Sequence, residues 1–344
     1  MLASSTPNSI QYKKDLNRMG WSMLLFIGLF YAMTLASESF VYGISTVTEP
    51  LLRDILTVIS GFISAIAYMA PFFLTGLFYY FISRRTRTER IQFEVQLPRE
   101  FPLLILAGLA IITAGSYINA WFCELIGYTG AENLLPTESY DNPAVVIKYI
   151  TIALAPAFAE EFLFRGVFYS NLRPYGRTQA ILVSSILFAL MHENIGQLFY
   201  TFVAGIAMAL MYELTGSIWC SVFYHAINNE LSVISEILYY GRFGDTVSPL
   251  LSVFDAIQFI IGIISLILLI FYYKRKATIR EASRPCGVFG GISDDSRNRY
   301  DRPLSARAIM KGVLSSGMIV FTVVTVVLMG LTWLMLLAAK AGGV

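Results

Sequence analysis

The chain contains only two histidines, His192 and His225, and each sits in an apolar run: "LFALMHENIG" (187–196) and "WCSVFYHAINNE" (219–230). A third apolar stretch, "APAFAEEFLFRGVFYSNL" (155–172), holds the adjacent acids Glu160 and Glu161 and the base Arg165. Glu161 and Arg165 are four residues apart with the acid first, so on a helix they share a face and pair across one turn. Glu160 lies about 100° round the helix from Glu161 and points elsewhere. His225 and Asn229 share one helical face, as do Phe188 and His192.

These side chains supply the parts of a hydrolase. Burial in an apolar pocket makes a carboxylate a stronger base toward water. A neighbouring imidazole can share the proton traffic, and a histidine with an asparagine amide can donate hydrogen bonds to a developing oxyanion. Glu160 is the acid that Arg165 leaves unexplained. Ser184, Ser185, Ser221 and Cys220 lie nearby, but no GxSxG turn accompanies the serines and no Cys and His pairing stands out, so covalent catalysis is the weaker option. His192 is followed by Glu193, yet the residue four after His192 is Gly196, and the HExxH zinc helix is absent. Zinc held by Glu160, His192 and His225 stays open as an alternative if the three converge.

The elements that carry these residues lie in a membrane. The 344 residues are 56% hydrophobic and 14% charged, with a mean hydropathy of +0.63, far from a soluble domain. The formal net charge of +2 and the scatter of Lys and Arg among short loops exclude nucleic acid as the partner. Cys123, Cys220 and Cys286 are odd in number and widely separated, so no disulfide framework follows. Charge-free runs at 19–37, 55–83, 101–123, 194–212 and 312–339 read as spans. Four more helices are expected at 145–170, 178–193, 216–235 and 251–273, the last interrupted only by Asp255. The expected fold is an all-α, polytopic bundle of eight or nine transmembrane helices around an intramembrane polar cavity. An unpaired charge at mid-membrane costs roughly 2.5–3.5 kcal/mol even on the lenient insertion scale, so the polar groups of three helices are expected to face one another.

Lys13, Lys14 and Arg18 precede the first span and "RRTRTER" (84–90) follows the second, whereas 124–142 holds acids without Lys or Arg. The positive-inside rule then places the N-terminus in the cytoplasm, together with Arg173, Arg177 and a polar linker at 274–311. Pro156 is expected to bend or loosen the turn before the two glutamates. The resulting organisation is a set of N-terminal helices (1–144), a core (145–235), and C-terminal helices with the linker (236–344). His192 falls near the outer end of its short helix while Glu160 falls near mid-span.

Three motifs in order, EExxxR as "EEFLFR" (160–165), FxxxH as "FALMH" (188–192) and HxxxN as "HAINN" (225–229), resemble the CAAX protease and bacteriocin-processing family, also called the Abi or type II CAAX prenyl endopeptidase family. The resemblance covers roughly 145–235. It implies a metal-independent, glutamate-type intramembrane protease without a cofactor, acting on a membrane-associated peptide or protein within the bilayer. It also implies that Glu160 and His192 activate water, that His225 and Asn229 stabilise the oxyanion, and that Glu161 and Arg165 complete the first motif. Eukaryotic relatives cleave prenylated CaaX proteins, while bacterial members are linked to bacteriocin maturation or self-immunity in the cell membrane. A non-catalytic immunity, scaffold or transport protein retaining the cluster is the reading from a different class.

Overall fold

Helix is the only regular way to cross lipid without closing a barrel, because every backbone N–H and C=O is satisfied within the segment. The structure, a computed structural model, describes residues 9–83, 95, 97–126, 143–240, 246–282, 304 and 306–341. Among them the helices are α1 (Ser9–Ser45), α2 (Pro50–Ile82), α3 (Phe101–Leu125) and α4 (Pro143–Glu161). α4 continues as a π-helical segment, Phe162–Tyr169, and a last turn, Ser170–Leu172. Then come α5 (Arg177–Met191), α6 (Leu198–Thr215), α7 (Ile218–Tyr240), α8 (Ser248–Ala282), the short α9 (Ala306–Val313) and α10 (Ser316–Ala341). No strand occurs among the described residues.

The chain is a multi-pass membrane protein with an all-α fold. Among the described residues, six helices are long and apolar enough to cross a membrane: Ser9–Ile44, Pro50–Ile82, Phe101–Leu125, Ile195–Thr215, Ser248–Lys276 and Ser316–Met335. The remaining long helices, α4, α5 and α7, are those that carry the three motifs. Outward faces are apolar, as lipid requires: α8 exposes Ile260, Ile264, Leu268 and Phe271.

The expected spans fall on helices, except that 312–339 is divided at Leu314 and Ser315 between α9 and α10, and two helices run beyond their expected bounds. The first helix begins at Ser9, and α8 runs on to Ala282, so the expected linker 274–311 starts and ends in helix. Its centre, 283–303 and 305, lies outside the described residues, as do 84–94 and 127–142 with their loop charges.

Packing places the motif helices together. α4 lies against α2 and α7, α5 against α6, and α3 against α6 and α8, while α1 packs on α2, α9 and α10. α6 ends on Gly216, whose left-handed φ of 69° closes the helix and returns the chain into α7. α1 and α10 cross in backbone contact: a Cβ on Gly20 would stand 2.2 Å from the carbonyl carbon of Gly317. Beside that crossing, Asn17 Oδ1 accepts the N–H of Gly317 at 2.7 Å and caps α10.

One end of the bundle is tied by polar groups. Buried Asp15 accepts the hydroxyl of Tyr175 at 2.7 Å and pairs with Arg18 at 3.1 Å. Glu213 takes Arg173 at 2.8 Å and Arg177 at 2.6 Å. These contacts join the start of α1, the turn after α4 and the end of α6.

Candidate active site

Pro156 lies inside α4, and the helix passes through it. The loosening comes six residues later, where the backbone widens: the Ser170 N–H reaches back five residues to the Arg165 carbonyl. Such π segments tend to mark functional sites, because an extra residue per turn redirects side chains. Here the segment follows the two glutamates directly.

Glu161 and Arg165 pair as their spacing predicts, Nη1 to Oε1 at 2.9 Å, both fully buried. Arg165 Nη2 donates to the Gly205 carbonyl of α6 at 2.8 Å, and its guanidinium carbon lies 4.7 Å from the centroid of the Phe188 ring. Removing one partner of such a pair strands a buried charge, at a cost of about 3–5 kcal/mol. The pair also reaches α7. Ser221 Oγ donates to Glu161 Oε2, and His225 Nδ1 stands 3.1 Å from Glu161 Oε1. A carboxylate only accepts, so Nδ1 of His225 carries the hydrogen and Nε2 faces away.

Glu160 points elsewhere, as the helical angle requires. Its Oε1 accepts the Tyr68 hydroxyl of α2 at 2.5 Å. Phe30 and Phe72 hold the Tyr68 ring at 5.5 and 5.3 Å between centroids. Glu160 Oε2 is buried without a hydrogen-bond partner, and it lies 3.9 Å from His225 Nε2. That separation is too long for a hydrogen bond.

His192 caps the C-terminus of α5, its Nδ1 held by the Phe188 carbonyl at 2.8 Å. The carbonyl fixes the hydrogen on Nδ1 and leaves the lone pair on Nε2. Phe188 thus serves twice, holding His192 by its carbonyl and underlying Arg165 by its ring. No hydrogen bond or ion pair joins His192 to Glu160 among the described residues.

His192 ends a short helix, as expected: α5 has 15 residues, and the turn after it packs on α1 and α3. Glu193 accepts the hydroxyl of Tyr31 at 2.7 Å, and α1 continues for fourteen more residues to Ser45, about 21 Å at 1.5 Å per residue. The turn after His192 therefore meets α1 well before that helix ends. Glu193 itself has a positive φ of 50°, which is uncommon for a side chain of this kind. Asn119 of α3 supports the same turn, donating to the Gly196 carbonyl at 2.5 Å and accepting the Tyr200 N–H at 3.2 Å.

Asn229 lies one helical turn beyond His225, as expected. Its Nδ2 donates to the Ala153 carbonyl of α4 at 3.2 Å, which leaves the second amide hydrogen unassigned. A cavity of about 50 Å³ is lined by Phe188, His192, Tyr224, His225, Asn228 and Asn229, among others, room for a water or two. No three His, Cys, Asp or Glu side chains stand in a metal-holding group among the described residues.

Two participants escape a sequence reading. Tyr68 is 92 residues from Glu160 and carries no local signal. Ser221 does: four residues before His225, it shares that residue's face and so meets the same carboxylate.

Residues 142–231 match the family model described as Rce1-like, type II CAAX prenyl endopeptidase. A Bacillus subtilis (strain 168) protein named "Putative membrane peptidase YdiL" is 29% identical over 97 residues, which are 27% of this chain and 39% of that protein. The chain thus matches about two-fifths of the length of this relative. No solved structure matches.

Proposed function

We propose that this chain, whose residues 142–231 match a prenyl endopeptidase model, is an intramembrane endopeptidase that hydrolyses a peptide bond with an activated water. The observation that carries the reading is the asymmetry of Glu160. One carboxylate oxygen is held by Tyr68, and the other is buried, unpartnered and turned toward His225. A buried acceptor without a partner is costly to a fold and useful to a base.

In this mechanism Glu160 Oε2 takes a proton from water, with His192 Nε2 as the second acceptor that orients it. The hydroxide attacks the scissile carbonyl carbon as the C=O π electrons move to oxygen. The free amide hydrogen of Asn229 then meets that oxyanion, and so does the Nε2–H of His225, in a ring that carries hydrogen on both nitrogens and whose Nδ1–H is held by Glu161. Proton return from Glu160 to the leaving nitrogen breaks the C–N bond and gives a carboxylic acid and an amine. Glu161 and Arg165 hold His225 in place and do not touch the reacting atoms. The core at 145–235 takes Tyr68 from outside itself.

No metal enters this scheme, and activity unchanged by a chelator supports it over zinc at Glu160, His192 and His225. The substrate is a membrane-associated peptide or protein, with prenylated CaaX proteins and bacteriocin-like peptides as the two candidate classes. The N-terminus lies in the cytoplasm, and in a bacterium the protein sits in the cell membrane. Comparing membrane peptides from cells with the wild-type chain or Glu160→Gln tests the reading. Substrates should persist uncleaved in the variant, and identical peptide sets would remove it.

A further inference from the structure

α8 is the most apolar of the candidate spans, with a hydropathy of 2.6, yet Asp255 stands within it. Lys274 lies nineteen residues further along, about 29 Å at helical rise. The apolar stretch between them matches a hydrocarbon core, and Asp255 falls at its border away from the Lys274 end. An acid at such a border can simply meet water. Its surroundings point further.

Asp255 is exposed and makes no hydrogen bond or ion pair among the described residues. It lines a groove of about 420 Å³ between α3, α7 and α8. The groove collects Thr113 and Ser116 from α3, Ser232 and Ser235 from α7, and Gln258 from α8; the hydroxyls of Thr113, Ser116 and Ser232 donate to carbonyls of their own helices and keep lone pairs for a further donor. Its inner wall is shared: Ile112, Tyr200 and Asn228 line both this groove and the small cavity that holds His192, His225 and Asn229. Asn228 Nδ2 donates to the Tyr200 hydroxyl at 2.9 Å, a polar bar between the two spaces. A peptide backbone brings donors and acceptors that need such partners at the edge of a membrane.

We infer that this groove receives the peptide substrate and that Asp255 forms a subsite for one of its cationic side chains, Lys or Arg. The inference rests on the peptidase reading above for the word substrate, and on the groove alone for the binding. A cation placed against Asp255 at the border of the hydrocarbon gains more than it would in bulk water. The groove borders the proposed catalytic cavity, across the Asn228 and Tyr200 bar, from a side that no motif marks.

The test uses the full chain as Glu160→Gln in nanodiscs of neutral phosphatidylcholine. Two fluorescent, leucine- and alanine-rich peptides serve as probes, identical except for one lysine or norleucine at the end of the apolar run, where the border of the hydrocarbon falls. The lysine peptide should bind about tenfold more tightly. Asp255→Asn should equalise the two, and Asp255→Glu should restore the preference. Equal binding with Asp255 intact, a preference that survives Asp255→Asn, or no binding of either peptide overturns the inference. These arms read binding alone. Undiminished hydrolysis by Glu160→Gln would sink the peptidase reading and leave the cation subsite standing.

Discussion

The hydroxyl of Tyr68, on α2, donates at 2.5 Å to one carboxylate oxygen of Glu160, on α4, and leaves the other oxygen buried and unpartnered. The two residues belong to different helices and to no common motif. If Glu160 is the base, as proposed, this hydrogen bond sets which of its lone pairs remain available, and Tyr68 is its positioning residue. Tyr68→Phe removes the donor and keeps the ring between Phe30 and Phe72. We expect kcat to fall about 10- to 100-fold with KM little changed, and stability to drop by about 1–3 kcal/mol. Steady-state hydrolysis at a temperature where both proteins are folded checks this. An unaltered kcat would show that Glu160 needs no such partner.

The fully buried Glu161 and Arg165 pair carries a different expectation. Arg165→Met strands Glu161 with only Ser221 and His225, and should destabilise the protein by about 3–5 kcal/mol. The double variant Glu161→Gln with Arg165→Met should recover part of that loss, since no buried charge of the pair is then left alone. Denaturant titration of the four proteins of this cycle in mixed micelles gives the coupling, and additive losses would contradict the pairing.

Close packing of α1 on α10 rests on glycine at the crossing. A methyl group at Gly20 meets the Gly317 backbone at 2.2 Å, whereas one at Gly28 on the same helix meets nothing within 4 Å. Gly20→Ala should therefore force the helices apart and lower stability by about 1–3 kcal/mol. Gly28→Ala should be neutral or slightly stabilising through its helix propensity. Thermal unfolding in one detergent compares the two, and equal shifts would speak against the crossing.

The turn that ends α5 predicts a selective effect at Asn119. Its side chain bonds both the Gly196 carbonyl and the Tyr200 N–H. Asn119→Leu should loosen the seat of His192 and reduce kcat more than it raises KM. A stable, fully active Asn119→Leu protein would detach that turn from the site.

Much of this was legible in the sequence, for local reasons. Charge-free runs mark the helices because the membrane tests each segment separately. The Glu161 and Arg165 contact follows from a spacing of four, and the divergence of Glu160 follows from the helical angle. The contacts between helices were not legible in detail. Glu161 meets His225 across 64 residues of chain, and Tyr68 reaches Glu160 with no motif to announce it. The turn after His192 was not legible either, because the length of α5 says nothing of what holds its end; Tyr31 and Asn119 do so by tertiary hydrogen bonds. The π segment was hidden too, since Pro156 draws attention to the wrong turn.

The most direct measurement is hydrolysis by the purified, reconstituted chain. A membrane-anchored reporter peptide library is incubated in proteoliposomes with the wild type, Glu160→Gln or His192→Ala, with and without a chelator, and products are read by mass spectrometry. The account predicts new amine and carboxylate termini with the wild type, unaffected by the chelator, and their loss by at least a hundredfold in both variants. Cleavage by Glu160→Gln at the wild-type rate would contradict it.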